Sequence, residues 1–184
     1  MKHRRQKLFQ FWRAFACAFA LLLAGGARAD EAAEQKVKAA FIPHLAALVT
    51  WPEATFTNAT EPIRLGILGD FPLGQDFEPA LLNQSAQGRK FTITHYREIK
   101  TTLNCHILLV GSPATEKLPT LLAALAHRPI LTIGDTPGFA AAGGIINFIR
   151  EDSKVRFEIN PAAAAQARLT LSARLLQVAR LIQP

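Results

Sequence analysis

The sequence predicts an α/β fold. It reads as one three-layer domain: a mostly parallel sheet with an antiparallel hairpin strand near the carboxyl end, and helices on both faces. Three observations predict it. Cys105 to Val110 (CHILLV) is a continuous apolar run of strand length, the mark of a strand covered on both faces, and Pro129 to Ile133 (PILTI) is another buried strand. Strand-like runs alternate with helical segments, which is how a parallel sheet is built. Ile145 to Arg150 and Lys154 to Asn160 are two strands around a polar Glu151-Asp152-Ser153 turn, a hairpin.

The amino terminus gives an address. Lys2, Arg4, Arg5, Lys7 and Arg13 precede an unbroken apolar run from Ala14 to Ala24, and Ala27-Arg28-Ala29 is a small-x-small site before Asp30. This is the layout of a secretory signal peptide over residues 1–29, cleaved near Ala29. The apolar run is about half of the roughly 20 residues that a spanning helix needs. The expected mature domain is 30–184, in the periplasm. Its charge differs from that of the whole chain, whose net is +7 from 21 basic and 14 acidic residues. Six of the basic residues and none of the acidic ones lie before Asp30, so the remainder is close to neutral. No basic stripe with interleaved aromatics remains, which excludes nucleic acid as a partner. Cys105 is the one cysteine of the expected mature chain. It starts a very apolar strand and reads as a buried, inert thiol, with no disulfide.

The elements follow in order. Asp30 to Thr50 is helical, with acids in its first turn and Val37, Phe41, Leu45 and Leu48 on one face. Pro43 is expected to kink or interrupt it, and Trp51-Pro52 to end it. His44, beside the proline, reads as a polar residue at a helix edge. Ile63 to Leu68 is a strand, Leu73 to Leu82 a short helix, and Phe91 to Tyr96 an alternating strand. The buried strand Cys105–Val110 stops at Gly111-Ser112-Pro113. A helix over Glu116 to His127 leads to the buried strand ending at Ile133.

Three strand exits carry glycine and a small polar residue: Gly69-Asp70, Gly111-Ser112 and Gly134-Asp135. Ligands sit at such exits in parallel sheets. Neither G-x-G-x-x-G nor G-x-x-x-x-G-K-[ST] is present, so turn chemistry is the favoured explanation. After Asp135 come a Pro137-Gly138 turn, Phe139, and the pair Gly143-Gly144. In the hairpin's second strand Val155, Phe157 and Ile159 face the core, while Lys154, Arg156, Glu158 and Asn160 face away. Asn160 caps and Pro161 begins one long final helix. Ala164, Ala167, Leu171, Leu175, Val178 and Ile182 form its apolar face and leave Arg168, Arg174 and Arg180 outward.

Nothing here assembles a catalytic group. His95, His106 and His127 are scattered, with no Ser or Cys motif beside them, so no enzyme, metal or cofactor is expected. The candidate contacts for a partner or ligand are Phe139 as an apolar anchor, Asn147, Arg156, Glu158 and Asn160 on the hairpin, and Arg168 and Arg174 on the last helix.

Three blocks, VKAAFIPHLAALVTWPE, CHILLVG and ILTIGDTPGFAAAGGIINFI…KVRFEINPAAAAQARLTLSARLLQVARLI, resemble the YfiR-like proteins of the bacterial periplasm. The resemblance covers nearly all of the expected mature chain. It implies a soluble repressor that binds the periplasmic sensor part of an inner-membrane diguanylate cyclase, with an outer-membrane lipoprotein able to sequester the repressor. Cyclic di-GMP and biofilm formation then rise on release. Relatives of this type also accompany membrane sensor kinases. Pro43-His44 stands where the family often has an aromatic-Asn pair, and Cys105 lacks the second cysteine with which its counterpart often pairs. Neither a stabilising disulfide nor redox gating carries over. The other reading is a periplasmic small-ligand-binding protein acting as sensor for a membrane kinase or transporter, with a pocket at the Gly-Asp exits and the Gly138–Gly144 loop. Both readings leave room for a homodimer.

Overall fold

The computed structural model describes residues 30–97, 103–111 and 118–182; residues 1–29, expected as a signal peptide, lie outside them. The first helix, α1, spans residues 30–47. It is followed by β1 (Val49–Thr50), a 3-10 turn (Glu53–Thr55), β2 (Ile63–Leu68), α2 (Phe77–Leu82), β3 (Ser85–Ala86), β4 (Arg89–Tyr96), β5 (Ile107–Val110), α3 (Leu118–Leu125) and β6 (Leu131–Gly134). The chain closes with β7 (Ile146–Glu151), β8 (Lys154–Ile159), α4 (Pro161–Gln166), β9 (Thr170–Leu171), α5 (Ala173–Gln177) and β10 (Arg180–Leu181).

An eight-stranded sheet runs in the order β10-β8-β7-β6-β5-β2-β4-β3, while β1 and β9 form a separate pair. The strands from β7 to β4 in that order are mutually parallel. β7 and β8 are antiparallel, as the hairpin requires. The alternation of side chains along β5 divides the core. Ile107 and Leu109 join a cluster with Ile42 and Leu45 of α1, Phe77 and Leu81 of α2, and Ala163 and Ala164 of α4. Leu108 and Val110 join Leu118, Leu121, Leu122 and Leu125 of α3. Helices therefore cover both faces, and the α/β layering is the one the apolar runs predict.

Pro43 does not interrupt α1. The helix runs past it to residue 47, and His44 Nδ1 sits 2.8 Å from the Ala40 carbonyl, a side-chain donor in the turn that the proline disturbs. The buried stripe is Ile42, Leu45 and Ala46; Val37 is exposed, and Lys38 takes an inward position.

The long final helix is not formed. Asn160 caps α4 as expected, its Oδ1 accepting the Ala163 N–H at 2.9 Å with Pro161 at the first turn. The helix then stops. Arg168 adopts a left-handed φ of 58°, the Leu169 N–H reaches the Ala164 carbonyl, and the Arg168 N–H reaches Ala165, each at 2.9 Å. This is a Schellman ending with arginine in the usual glycine position, and Leu169 buries itself on the core behind it. Thr170–Leu171 pairs with β1, Ser172 caps α5, and β10 adds in parallel to β8. Helical periodicity misleads here because Ala164, Ala167 and Leu175 are buried in either arrangement, whereas Val178 is 61% exposed.

Asn160 is itself buried, and its Nδ2 donates to the Ala140 carbonyl at 2.9 Å. Asn160→Ala is expected to cost about 2–4 kcal/mol, from the lost cap and the orphaned buried carbonyl. Urea unfolding of the variant measures this; a loss below about 0.5 kcal/mol, the scale of a surface change, would show that neither bond matters.

Candidate functional site

The sheet has a switch point at its carboxyl end. β2 and β5 are neighbours, yet β2 leaves towards α2 on one face and β5 towards α3 on the other. Such a crevice is where ligands sit in open α/β sheets. Here the described backbone fills it. A Cβ built on Gly111 would lie 2.3 Å from both the carbonyl carbon and oxygen of Asp70, so the two strand exits press directly on each other. The next exit is filled in the same way. The Phe139 ring is wedged between Gly134 and Gly144, where added Cβ atoms would lie 2.4 Å and 2.1 Å from it. Phe139 is fully buried, so it anchors its own loop from within. The glycines at these two exits serve close packing.

Asp135, one residue beyond β6, is half-buried and faces Lys38 of α1 at 3.7 Å. Lys38 also holds Glu34 at 2.7 Å, one helical turn away. Burial raises the Asp135 pKa, against the pull of Lys38. Arg150 of β7 pairs with Glu34 at 3.0 Å and also with Asp30. This ladder ties α1 to the ends of β6 and β7. An aromatic cluster backs it: Phe41 meets Phe157 edge-on at 4.8 Å, and Phe157 meets Phe148 at 5.3 Å.

The hairpin residues separate into interior and surface. Asn147 is fully buried and donates to Glu158 at 3.3 Å; its Oδ1 has no hydrogen-bond partner. Glu158 is half-buried between Asn147 and Arg180 of β10, 3.7 Å away. Arg156 is exposed on the same face of β8. The structure thus brings Asn147, Arg156 and Glu158 together. Asn160 is an internal cap. Arg168 lies at the end of α4 and donates to the His127 carbonyl at 3.2 Å, and Arg174 is exposed on α5. Sequence reasoning missed β10, whose edge adds Arg180 and exposed Leu181, with Val178 just before it. Reading those residues as helix hid this rim.

A second polar cluster lies at the amino end of the sheet. His106 is 2% exposed. Its Nδ1 accepts the Arg64 backbone N–H at 3.1 Å, its Nε2 lies 2.7 Å from Arg64 Nη2, and its ring packs on Phe56 at 4.4 Å. Arg89 stacks over the other partner of that group, 3.9 Å from the Phe56 centroid, and Glu61 pairs with Arg64. Burial, with the neighbouring Arg64 guanidinium, pulls the His106 pKa down to about 4. Hydrogen bonds from Thr57 and Arg64 hold Glu61 down to about 2. Among the described residues no nucleophile is bonded to His106. Cys105, next to it in sequence, is a buried free thiol pushed up to about 11 by burial, so it stays protonated at neutral pH.

One open groove of about 490 Å³ separates α1 from α2, lined by Lys36, Ala39, Leu73, Phe77, Ala80 and Gln84 among others. Among the described residues no group of three or more His, Cys, Asp or Glu side chains is arranged to hold a metal ion.

A family model described as YfiR/HmsC-like matches residues 35–180. The chain belongs to the YfiR/HmsC-like family. The match runs from α1 to β10, so every element that builds the exits, the hairpin face and the His106 cluster belongs to the YfiR/HmsC-like domain. A search of curated proteins gave no match. Among the described residues no helix of this YfiR/HmsC-like chain is long and apolar enough to cross a membrane.

Proposed function

We propose that the chain is a periplasmic regulator that binds the periplasmic sensor part of an inner-membrane signalling protein, a diguanylate cyclase, and holds it inactive. Cyclic di-GMP and biofilm formation would then rise when it is removed or sequestered, an outer-membrane lipoprotein being the sequestering partner. The observation that carries this reading is the YfiR/HmsC-like match over residues 35–180. The signal-peptide layout of residues 1–29 supports the compartment. Binding rather than catalysis is the proposed mode of action. The contact surface proposed first is the rim of Arg156, Glu158 and Arg180, with buried Asn147 holding Glu158 from behind, and Arg174 and Arg168 stand on separate segments beyond it.

The expected result is that the purified chain retains the periplasmic domain of the membrane protein encoded beside it, and that deleting its gene raises cyclic di-GMP. No association together with unchanged cyclic di-GMP would sink the reading. The α1–α2 groove favours a second reading, a periplasmic small-ligand sensor for a membrane kinase or transporter. It predicts thermal stabilisation by a small molecule, by linkage.

A further inference from the structure

Among the described residues one edge of the main sheet is left open. β4 has eight residues, Arg89–Tyr96, but the terminal strand β3 pairs only with its first two, Ser85 to Lys90 and Ala86 to Arg89. From Phe91 to Tyr96 the strand pairs, among the described residues, with β2 alone. The Tyr96 carbonyl accepts from the Gly69 N–H, beyond the end of β2, so Tyr96 turns its backbone groups towards β2. Backbone groups alternate along a strand, so Thr94 and Thr92 do the same, and Phe91, Ile93 and His95 present theirs outward. The β3 pairing agrees, because Arg89 falls in that outward series and meets Ala86.

This stretch lacks the usual protection of an edge. It contains no proline, and its centre, Thr92-Ile93-Thr94, carries no charge. Thr92, Thr94 and His95 are exposed and Ile93 is half-exposed. Leu82 at the end of α2 is 50% exposed, and α2 lies on the face of the sheet where Ile93 packs. The exposed cations Lys90 and Arg97 bracket the open stretch.

We infer that the β4 edge is a strand-addition site for an extended segment of another protein. That segment has alternating apolar residues towards Ile93 and Leu82, and acidic residues at its two ends towards Lys90 and Arg97. The charges decide the occupant. A second copy pairing antiparallel about Ile93 would bring Arg97 of each chain to the end of the other's open stretch, where β3 stops the pairing and Arg89 and Lys90 lie, and like charges brought together are destabilising. An acid-flanked strand meets the same cations favourably. The inference rests on the reading that this chain acts by binding another protein.

The test uses the protein purified from the periplasm of an expressing cell, and random decapeptides displayed on phage as the probe. His95→Pro removes an outward N–H and leaves the β2 ladder intact; His95→Ala removes the same side chain and keeps the N–H. Thermal melts confirm that both variants fold. The expected result is enrichment of alternating sequences with Asp or Glu at both ends. Their binding should slow amide exchange at Phe91, Ile93 and His95, fall about tenfold in His95→Pro and change by less than about threefold in His95→Ala. Lys90→Glu with Arg97→Glu should weaken them and favour basic ends. Three outcomes overturn the inference: no enrichment over the His95→Pro chain, binding that His95→Pro leaves unchanged, or a dimer that His95→Pro dissolves. Failure here would leave the regulator reading standing on another face. Failure of the pull-down with success here would keep the edge and change the partner.

Discussion

Phe139→Ala is expected to lower the unfolding free energy by about 3–5 kcal/mol, the range for deleting a fully buried phenylalanine ring. A domain of this size has about 5–15 kcal/mol to lose, so the variant stands near the limit of folding. The ring belongs to the α3-side core and is fully buried. Its slot is flat because Gly134 and Gly144 form the two walls. The loop also leans on it: the Gly144 N–H donates to the Phe139 carbonyl at 2.9 Å, and Asn160 holds the next carbonyl, Ala140. Gly144→Ala attacks the same fit from the other side, since its Cβ would sit 2.1 Å from Phe139 Cε1. The two changes should compensate. In the double variant the new methyl enters space the ring has left, so the combined loss in urea unfolding should be smaller than the sum of the single losses. Strict additivity, or a loss from Phe139→Ala below about 1 kcal/mol, typical of any point change, would show that the ring is not the wedge of this loop.

How much of this was legible depends on which residues act locally. The hairpin and the Asn160 cap came directly from alternation and capping chemistry, because their side-chain period and their pairing partners lie close in sequence; β2 was legible as an apolar run, although its partners β4 and β5 lie far along the chain. Layering followed from the all-apolar strands. The glycine-bearing exits were found, but their purpose was not. A glycine needed for a loop, and one needed because Phe139 packs on it, look alike until the ring is placed. The end of the chain failed for a related reason. A run in which Ala164, Ala167, Leu171 and Leu175 share helical spacing satisfies a long helix, and no glycine marks the break at Arg168. Two local signals were nevertheless present. Leu169-Thr170-Leu171 alternates around a β-branched residue, and Ser172 stands where a cap would start a new helix. The Lys38–Asp135 pair and the His106 cluster join residues far apart in the chain, and no periodicity encodes such contacts.

His106 should make the fold acid-sensitive well above the carboxylate range. Folded, its pKa is about 4, against an ordinary value of 6.5. Between those values the unfolded chain binds a proton that the native chain does not, so stability falls as pH falls from 6.5 to 4 and is fully present above 6.5. The complete effect is on the order of 3 kcal/mol. Geometry supplies the cause. A protonated ring would present a second cation to the Arg64 guanidinium and lose the acceptor that holds the Arg64 N–H. Glu61, held down to about 2, adds a further loss as pH drops through 4.5 towards 2. Asp135 works the other way: its raised pKa means that the folded chain holds the extra proton as acid is added above 3.8. The comparison that isolates His106 is therefore with His106→Asn. The asparagine carbonyl can occupy the Nδ1 position and accept the Arg64 N–H without titrating. Urea unfolding between pH 8 and pH 4.5 should show a decline in the parent that is largely absent from His106→Asn. A parent flat across that range, or a variant with the parent's slope, would rule out the histidine as the acid-sensitive joint of the sheet's amino end.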